Sequence, residues 1–258
     1  MNSVALAYDE VGAGEALLIL HGLFGSARNW QSYAKELGTR YRVITADLRN
    51  HGRSPHTAQH DYTALAADIE ALLDRLDIGQ AALLGHSMGG KAAMTFALNA
   101  PQRVSKLIVV DIAPVAYADQ HTPMIDAMLA LPLNEIKRRQ DADRLLVPAI
   151  TDSSIRAFLL QNLSLTEHGA EWRLNLPTLR REMPKLIGAP PVTIDQSYPA
   201  STHFIRGTNS DRVLPIHHQQ IARHFPNFII QTVANAGHWP HAEAPANFRV
   251  ALDAALQP

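Results

Sequence analysis

Ser87 stands in Gly85-His86-Ser87-Met88-Gly89, with glycine two positions to either side and a third, Gly90, just after. An apolar run precedes the serine and an alanine-rich run follows it. A serine that must project its hydroxyl from a tight strand-to-helix turn needs this setting, because side chains two positions away would collide. A hydroxyl so placed becomes a nucleophile once a base takes its proton, and an imidazole with a pKa near neutrality suits that task. "ANAGHWPHAE" (Ala234–Glu243) offers His238 on the loop after the last apolar run, with His241 as the alternative. The pair His238-x-x-His241 lacks a carboxylate or third histidine at a metal-ligand spacing, so no metal is expected.

Attack on a carbonyl also needs donors for the oxyanion. "LILHGLFGS" (Leu18–Ser26) ends an apolar run in His21-Gly22, with Gly25 soon after. Such a loop can aim a backbone N–H at the reacting carbonyl, opposite the N–H of the residue following the nucleophile. Leu23 and Met88 are the expected donors, with Phe24 the alternative to Leu23. His21 reads as a structural hydrogen-bonding residue and the His217-His218 pair as surface.

These residues require strands that end where the chemistry happens. Buried strands are expected at "ALLIL" (16–20), "YRVITA" (41–46), "AALLG" (81–85), "KLIVV" (106–110), "THFIR" (202–206) and "FIIQTV" (228–233). Tyr62, Leu65, Ala66, Ile69, Leu72, Leu73 and Leu76 recur at three- and four-residue intervals and predict a helix over 61–76. Further helices are expected over 88–98 and 245–256. Strand runs interleaved with helices predict an α/β fold with a mostly parallel sheet covered on both faces. From 114 to 191 the strand pattern stops, and short amphipathic helices are expected in "HTPMIDAMLALP", "LNEIKRRQDADRLL" and "SSIRAFLLQNL". The expected organisation is a core of residues 1–113 and 192–258, with 114–191 inserted as a helical cap.

The 258 residues are 47% hydrophobic and 18% charged, with a net charge of −1. That balance gives no electrostatic reason to expect nucleic acid or an anionic membrane as partner. No cysteine is present, which excludes disulfides, thiolate catalysis and cysteine zinc sites. No apolar run is long enough to span a bilayer. The N-terminal stretch carries two acids and no long apolar run, so no signal peptide is expected and a cytoplasmic location is. Nothing in the sequence sets an oligomeric state.

Together, the serine, glycine-loop and histidine segments resemble the α/β-hydrolase superfamily over nearly the whole chain. "DLRNHGRS" (47–54) resembles that family's D-x-R-G/N-x-G-x-S turn and is expected to shape the loop beside the pocket. "HGLFGS", "RNHGRS", "GHSMGGKA", "DIAPV", "EWRLN" and "GAGHWPHAE" resemble the small bacterial acyl esterases of the YbfF type. This resemblance implies an eight-stranded core with a helical cap, a serine esterase mechanism and no cofactor.

The family's chain order, Ser, acid, His, admits two acids. The commoner position lies three residues past a glycine after the strand at 202–206, but Gly207 plus three is Ser210, and the aspartate is one later, Asp211. Asp111 ends the 106–110 strand, where the YbfF-type esterases and the dehalogenases carry an acid. Four apolar residues precede it, so burying it would be costly without a partner, and His238 would be that partner. Asp111 is favoured over Asp211.

The expected activity is hydrolysis of a small-molecule acyl ester or thioester through an acyl-enzyme on Ser87. Trp239, Met124 and Met128 are candidate substrate contacts. The same machinery could open lactones, cleave carbon–carbon bonds or act as a cofactor-free haloperoxidase or perhydrolase. Dehalogenation and epoxide hydrolysis need a carboxylate where Ser87 stands. A non-catalytic ligand-binding protein of this fold is a remote alternative. "GAGEA" (12–16) lacks the third glycine of a dinucleotide fingerprint and precedes a strand, so NAD binding is not expected.

Overall fold

The computed structural model describes residues 3–257. Its strands are β1 (Tyr8–Val11), β2 (Ala16–Leu20), β3 (Arg42–Ala46), β4 (Ala81–His86), β5 (Val104–Val110), β6 (Leu163–Thr166), β7 (Gly169–Trp172), β8 (Thr202–Gly207) and β9 (Phe228–Val233). Seven of them form one sheet in the order β1-β3-β2-β4-β5-β8-β9, parallel except for β1 against β3. The implied eight strands are therefore corrected to seven. Ahead of β1 the Ala7 carbonyl still accepts the Asp47 N–H at 2.9 Å, and side chains hold the rest. The Val4 N–H donates to Asp68 Oδ1 at 2.7 Å and the Ala7 N–H to Ser54 Oγ at 2.8 Å.

Alternate residues of the central strands feed two cores. Leu18, Leu20, Ile44, Leu83, Leu107 and Val109 face one side, beneath α2 (Tyr62–Arg75) and α3 (Met88–Asn99). Leu17, Ile19, Val43, Leu84, Ile108 and Val110 face the other, beneath α1 (Gln31–Leu37) and α10 (Pro245–Leu256). Burial on both faces is why these strands read as continuous apolar runs. Helix α2 starts where Asp61 accepts the Ala64 N–H at 2.9 Å, and its stripe Leu65, Ile69, Leu72 and Leu73 is buried.

Between β5 and β8 lie α4 (Thr122–Leu129), α5 (Arg139–Leu146), α6 (Ser153–Leu160), the β6–β7 hairpin and α7 (Leu176–Leu186). The hairpin departs from the strand-free expectation. Gly169 turns it at φ 127°, and a Cβ there would lie 2.3 Å from the Leu133 carbonyl oxygen. Helix α7 was not expected either, although Leu176, Leu179, Met183 and Leu186 are buried at helical spacing. Two short helices complete the fold, α8 (His218–His224) before β9 and α9 (Pro240–Glu243) before α10.

The turn after β3 is fixed by a fully buried ion pair. Arg49 Nε lies 2.6 Å from Asp68 Oδ2 on α2, and a second guanidinium nitrogen lies 2.7 Å from Oδ1. Removing one partner strands the other charge in the core, at a cost of about 3–5 kcal/mol. Asp68→Ala is therefore expected to lower the urea midpoint strongly. A midpoint unchanged from the parent protein would show that the pair does not hold this turn.

Candidate active site

Ser87 immediately precedes α3 with φ 52° and ψ −116°, a backbone conformation that side chains rarely adopt. The glycines around it are required by contact. A Cβ on Gly85 would stand 2.3 Å from the Gly89 carbonyl oxygen, and one on Gly89 would stand 2.5 Å from the carbonyl oxygens of Leu20 and His21. A Cβ on Gly90 would meet Ile112 Cγ2 at 2.8 Å. The Ser87 N–H donates to the Val110 carbonyl at 2.9 Å, tying the turn to the end of β5.

Two of the sequence-predicted partners converge on this serine. His238 Nε2 lies 3.0 Å from Ser87 Oγ, and its Nδ1 lies 2.8 Å from Asp111 Oδ2. Asp111 is fully buried at the end of β5. Its Oδ1 accepts the Gly207 N–H at 3.1 Å, and its Oδ2 accepts the Ser210 hydroxyl as well as His238. Ser210, at the commoner acid position, thus supports the acid that lies elsewhere. Asp211 points away: its side chain is 73% exposed and pairs with Arg212 at 3.3 Å.

Neighbouring histidines have other tasks. His86 Nε2 donates to the His238 carbonyl at 2.8 Å, and burial holds its pKa well below the usual value. His241, the alternative to His238, makes no hydrogen bond to Ser87. It stacks on Trp30 at 4.4 Å, and burial pushes its pKa down to about 3. His21 bridges the Gly22 carbonyl at 2.8 Å and the Leu48 N–H at 3.0 Å.

The expected oxyanion donors come from the loop after β2, for Leu23, and from the start of α3, for Met88. The Leu23 N–H has no partner among the described residues, and Met88 is the first residue of α3, where an N–H has no intrahelical acceptor. Leu23, Met88, Ser87 and His238 line one cavity. The Phe24 N–H is already given to His51 Nε2 at 3.3 Å, which leaves Leu23 as the free donor. The 47–54 turn holds this loop: besides His51, Asp47 Oδ1 accepts the Ala27 N–H at 2.7 Å. Gly52 curls that turn at φ 56°, and a Cβ there would lie 2.5 Å from the Asp47 carboxyl carbon.

One cavity is lined by Ser87 itself, and a second by its sequence neighbour His86. The cavity containing Ser87 is narrow, about 40 Å³. A wide one of about 900 Å³ lies beside it, lined by Gly22, His86, Phe158 and Trp239 among others. Trp239 thus faces space, with its ring 5.9 Å from that of Phe158. Met124 and Met128 line neither cavity. Met128 is buried in the core, and its carbonyl accepts the Trp172 indole N–H at 3.2 Å.

Sequence reasoning missed the polar wall of the narrow cavity, made by Lys91, Tyr117, His121 and Arg212. A signal existed for Lys91, which stands one helical turn beyond Ser87 on the same helix. The others lie in loops whose path no local pattern sets.

The α/β-hydrolase fold family model matches residues 15–245. The chain is 42% identical over 249 residues to the mouse sn-1-specific diacylglycerol lipase ABHD11, covering 93% of this chain and 80% of that protein. It is 35% identical over 233 residues to the esterase YbfF of Escherichia coli K12, covering 89% and 88%. Among solved structures, a marine microorganism esterase superposes with a TM-score of 0.93 at 34% identity, covering 97% of this chain and 99% of that one.

The crowding at the serine turn yields a paired prediction. Gly89→Ala should cost about 3 kcal/mol, the upper end for overpacking, because carbonyl backbone cannot move aside. Gly79→Ala, where a Cβ meets nothing within 4 Å, should change stability by no more than about 1 kcal/mol. Equal urea midpoints for the two variants would contradict the steric account.

Proposed function

The chain belongs to the α/β-hydrolase fold family, and from that membership we propose that it is a serine ester hydrolase working through an acyl-enzyme on Ser87. The relatives named as a diacylglycerol lipase and as esterases support ester cleavage. The finer reading rests on one observation, the unbroken chain of contacts from Ser87 Oγ through His238 to Asp111.

In this reading, His238 Nε2 takes the hydroxyl proton as Ser87 Oγ attacks the carbonyl carbon. The Asp111 carboxylate holds the ring with Nδ1–H toward itself and stabilises the imidazolium. The Leu23 and Met88 N–H groups receive the oxyanion, each contributing on the order of 10²–10³ in rate. The imidazolium then protonates the departing alkoxide, or the thiolate of a thioester, and the carbon–oxygen or carbon–sulfur bond breaks. Water deprotonated by His238 attacks the acyl-enzyme and releases the acid and the free serine. Tight backbone at Ser87 fixes the hydroxyl before substrate arrives, so little reorganisation is left for the reaction itself. Residues 114–191 serve as the cap: Phe158 on α6 bounds the wide cavity, and Met183 and Leu186 on α7 bound the narrow one.

Initial rates on p-nitrophenyl esters of increasing acyl length test the reading. Ser87→Ala should lower kcat by roughly 10⁵–10⁶. Turnover that survives in the variant would refute the acyl-enzyme. Asp111→Asn should lower kcat about 10⁴-fold through the wrong histidine tautomer, whereas Asp211→Asn, on the surface, should stay within about twofold. Equal losses for the two aspartates would reassign the acid.

A further inference from the structure

The narrow cavity holds Ser87, His238 and both free N–H donors, so the reacting carbonyl sits there. The leaving group must depart while the acyl group stays bonded to Ser87. The roomier cavity beside Trp239 offers the leaving group its exit, which assigns the acyl chain to the narrow one. The polar wall of that narrow space is cationic. Lys91 is buried, with its ammonium 4.8 Å from the centroid of the Tyr117 ring, and the Arg212 guanidinium carbon lies 5.2 Å from the same centroid. Lys91 donates to the Gly188 and Ile187 carbonyls and to no carboxylate. His121 adds a buried Nδ1 with no hydrogen-bond partner.

We propose that Lys91 and Arg212, with His121, form an anion subsite that selects a short acyl chain ending in a carboxylate, so that the preferred substrates are monoesters of small dicarboxylic acids. This rests on the serine ester hydrolase reading above. A buried cation without a counter-ion is costly, and a substrate carboxylate that pairs with it gains a charge-assisted hydrogen bond in a dry site. Uncharged acyl chains leave that cost in place. On the same measure the narrow space is about 40 Å³ against about 900 Å³ for the wide one, which places the shorter substituent of the ester there.

The groups around Lys91 agree with the assignment. Tyr62 on α2 presents its ring 5.7 Å away, and the last carbonyls after α7 face the ammonium. His121, Tyr117 and Arg212 complete the wall. Of the acids nearby, Asp111 is already bonded to His238, Gly207 and Ser210, and the exposed Asp211 pairs with Arg212 Nε at 3.3 Å, while another Arg212 nitrogen donates to Gln120 Oε1 at 2.7 Å. Burial and the Arg212 charge push the Lys91 pKa down to about 7. Its positive charge therefore predominates at pH 6 and fades as pH rises through neutrality, while a carboxylate substrate stays ionised throughout.

The test compares monoethyl glutarate with ethyl pentanoate, equal in acyl length, by ethanol release. At pH 6 the glutarate ester should have a kcat/KM about tenfold higher or more. The ratio should shrink toward pH 8.5 as Lys91 loses its proton, since contributions common to both esters cancel. Arg212→Gln and Lys91→Met should each drive the ratio toward one. A Lys91 that only ties down the carbonyls after α7 would change both esters alike and leave the ratio intact, and that result would overturn the proposal. So would ethyl pentanoate equalling or outpacing the glutarate ester in the parent protein. If Lys91→Met fails to fold, Arg212→Gln and the pH series of the parent protein still decide. Should neither ester be cleaved above the Ser87→Ala background, the ester hydrolase reading itself fails, a distinct outcome.

Discussion

The Asp111 carboxylate is buried without any exposed surface, and it must be compensated where it lies. Three elements supply the compensation. The end of β8 gives the Gly207 N–H, the loop beyond gives the Ser210 hydroxyl, and the loop after β9 gives the His238 ring. One carboxylate thereby fixes the relative positions of the β5, β8 and β9 ends. The same constraint sets the direction of His238 toward Ser87, because the ring nitrogen left over after pairing with Asp111 faces the hydroxyl. Asp111 itself sits at φ 52°, so the chain at the end of β5 adopts a strained turn to bring the carboxylate inward.

A second constraint acts on the opposite side of the serine. The β4–α3 turn presses backbone against backbone, and glycine is the residue that fits at 85 and 89. His86, between Gly85 and Ser87, extends from the same turn to the His238 carbonyl. The turn that carries Ser87 therefore also holds the loop of His238, so the two residues are registered through the His86 side chain as well as through the Ser87–His238 contact.

Much of this was legible in the sequence. The glycine spacing around Ser87 has one steric cause, and the structure meets it there. The apolar runs became strands because a sheet covered on both faces makes consecutive residues apolar. Asp111 was recognisable by an aspartate's improbable place after four apolar residues. The β1 strand was not legible, since an exposed edge strand carries no burial pattern. Helix α7 was hidden by its arginines and by Pro184, although its apolar stripe was there to find. Met124 and Met128 fall outside both cavities, and the sequence could not show it, because an apolar residue on an amphipathic helix faces core or cavity with the same sequence signature. Arg212, Tyr117 and His121 meet only through tertiary placement of loops, and spacing along the chain holds no trace of that.

The groups around the reacting bond all come from the ends of core strands β2, β4, β5, β8 and β9. The facing walls of both cavities come in large part from the single stretch between β5 and β8. A change within that stretch can reshape both cavities while leaving Ser87, His238 and Asp111 where the strand ends hold them, whereas Lys91 and Arg212, on α3 and beyond β8, belong to the framework itself.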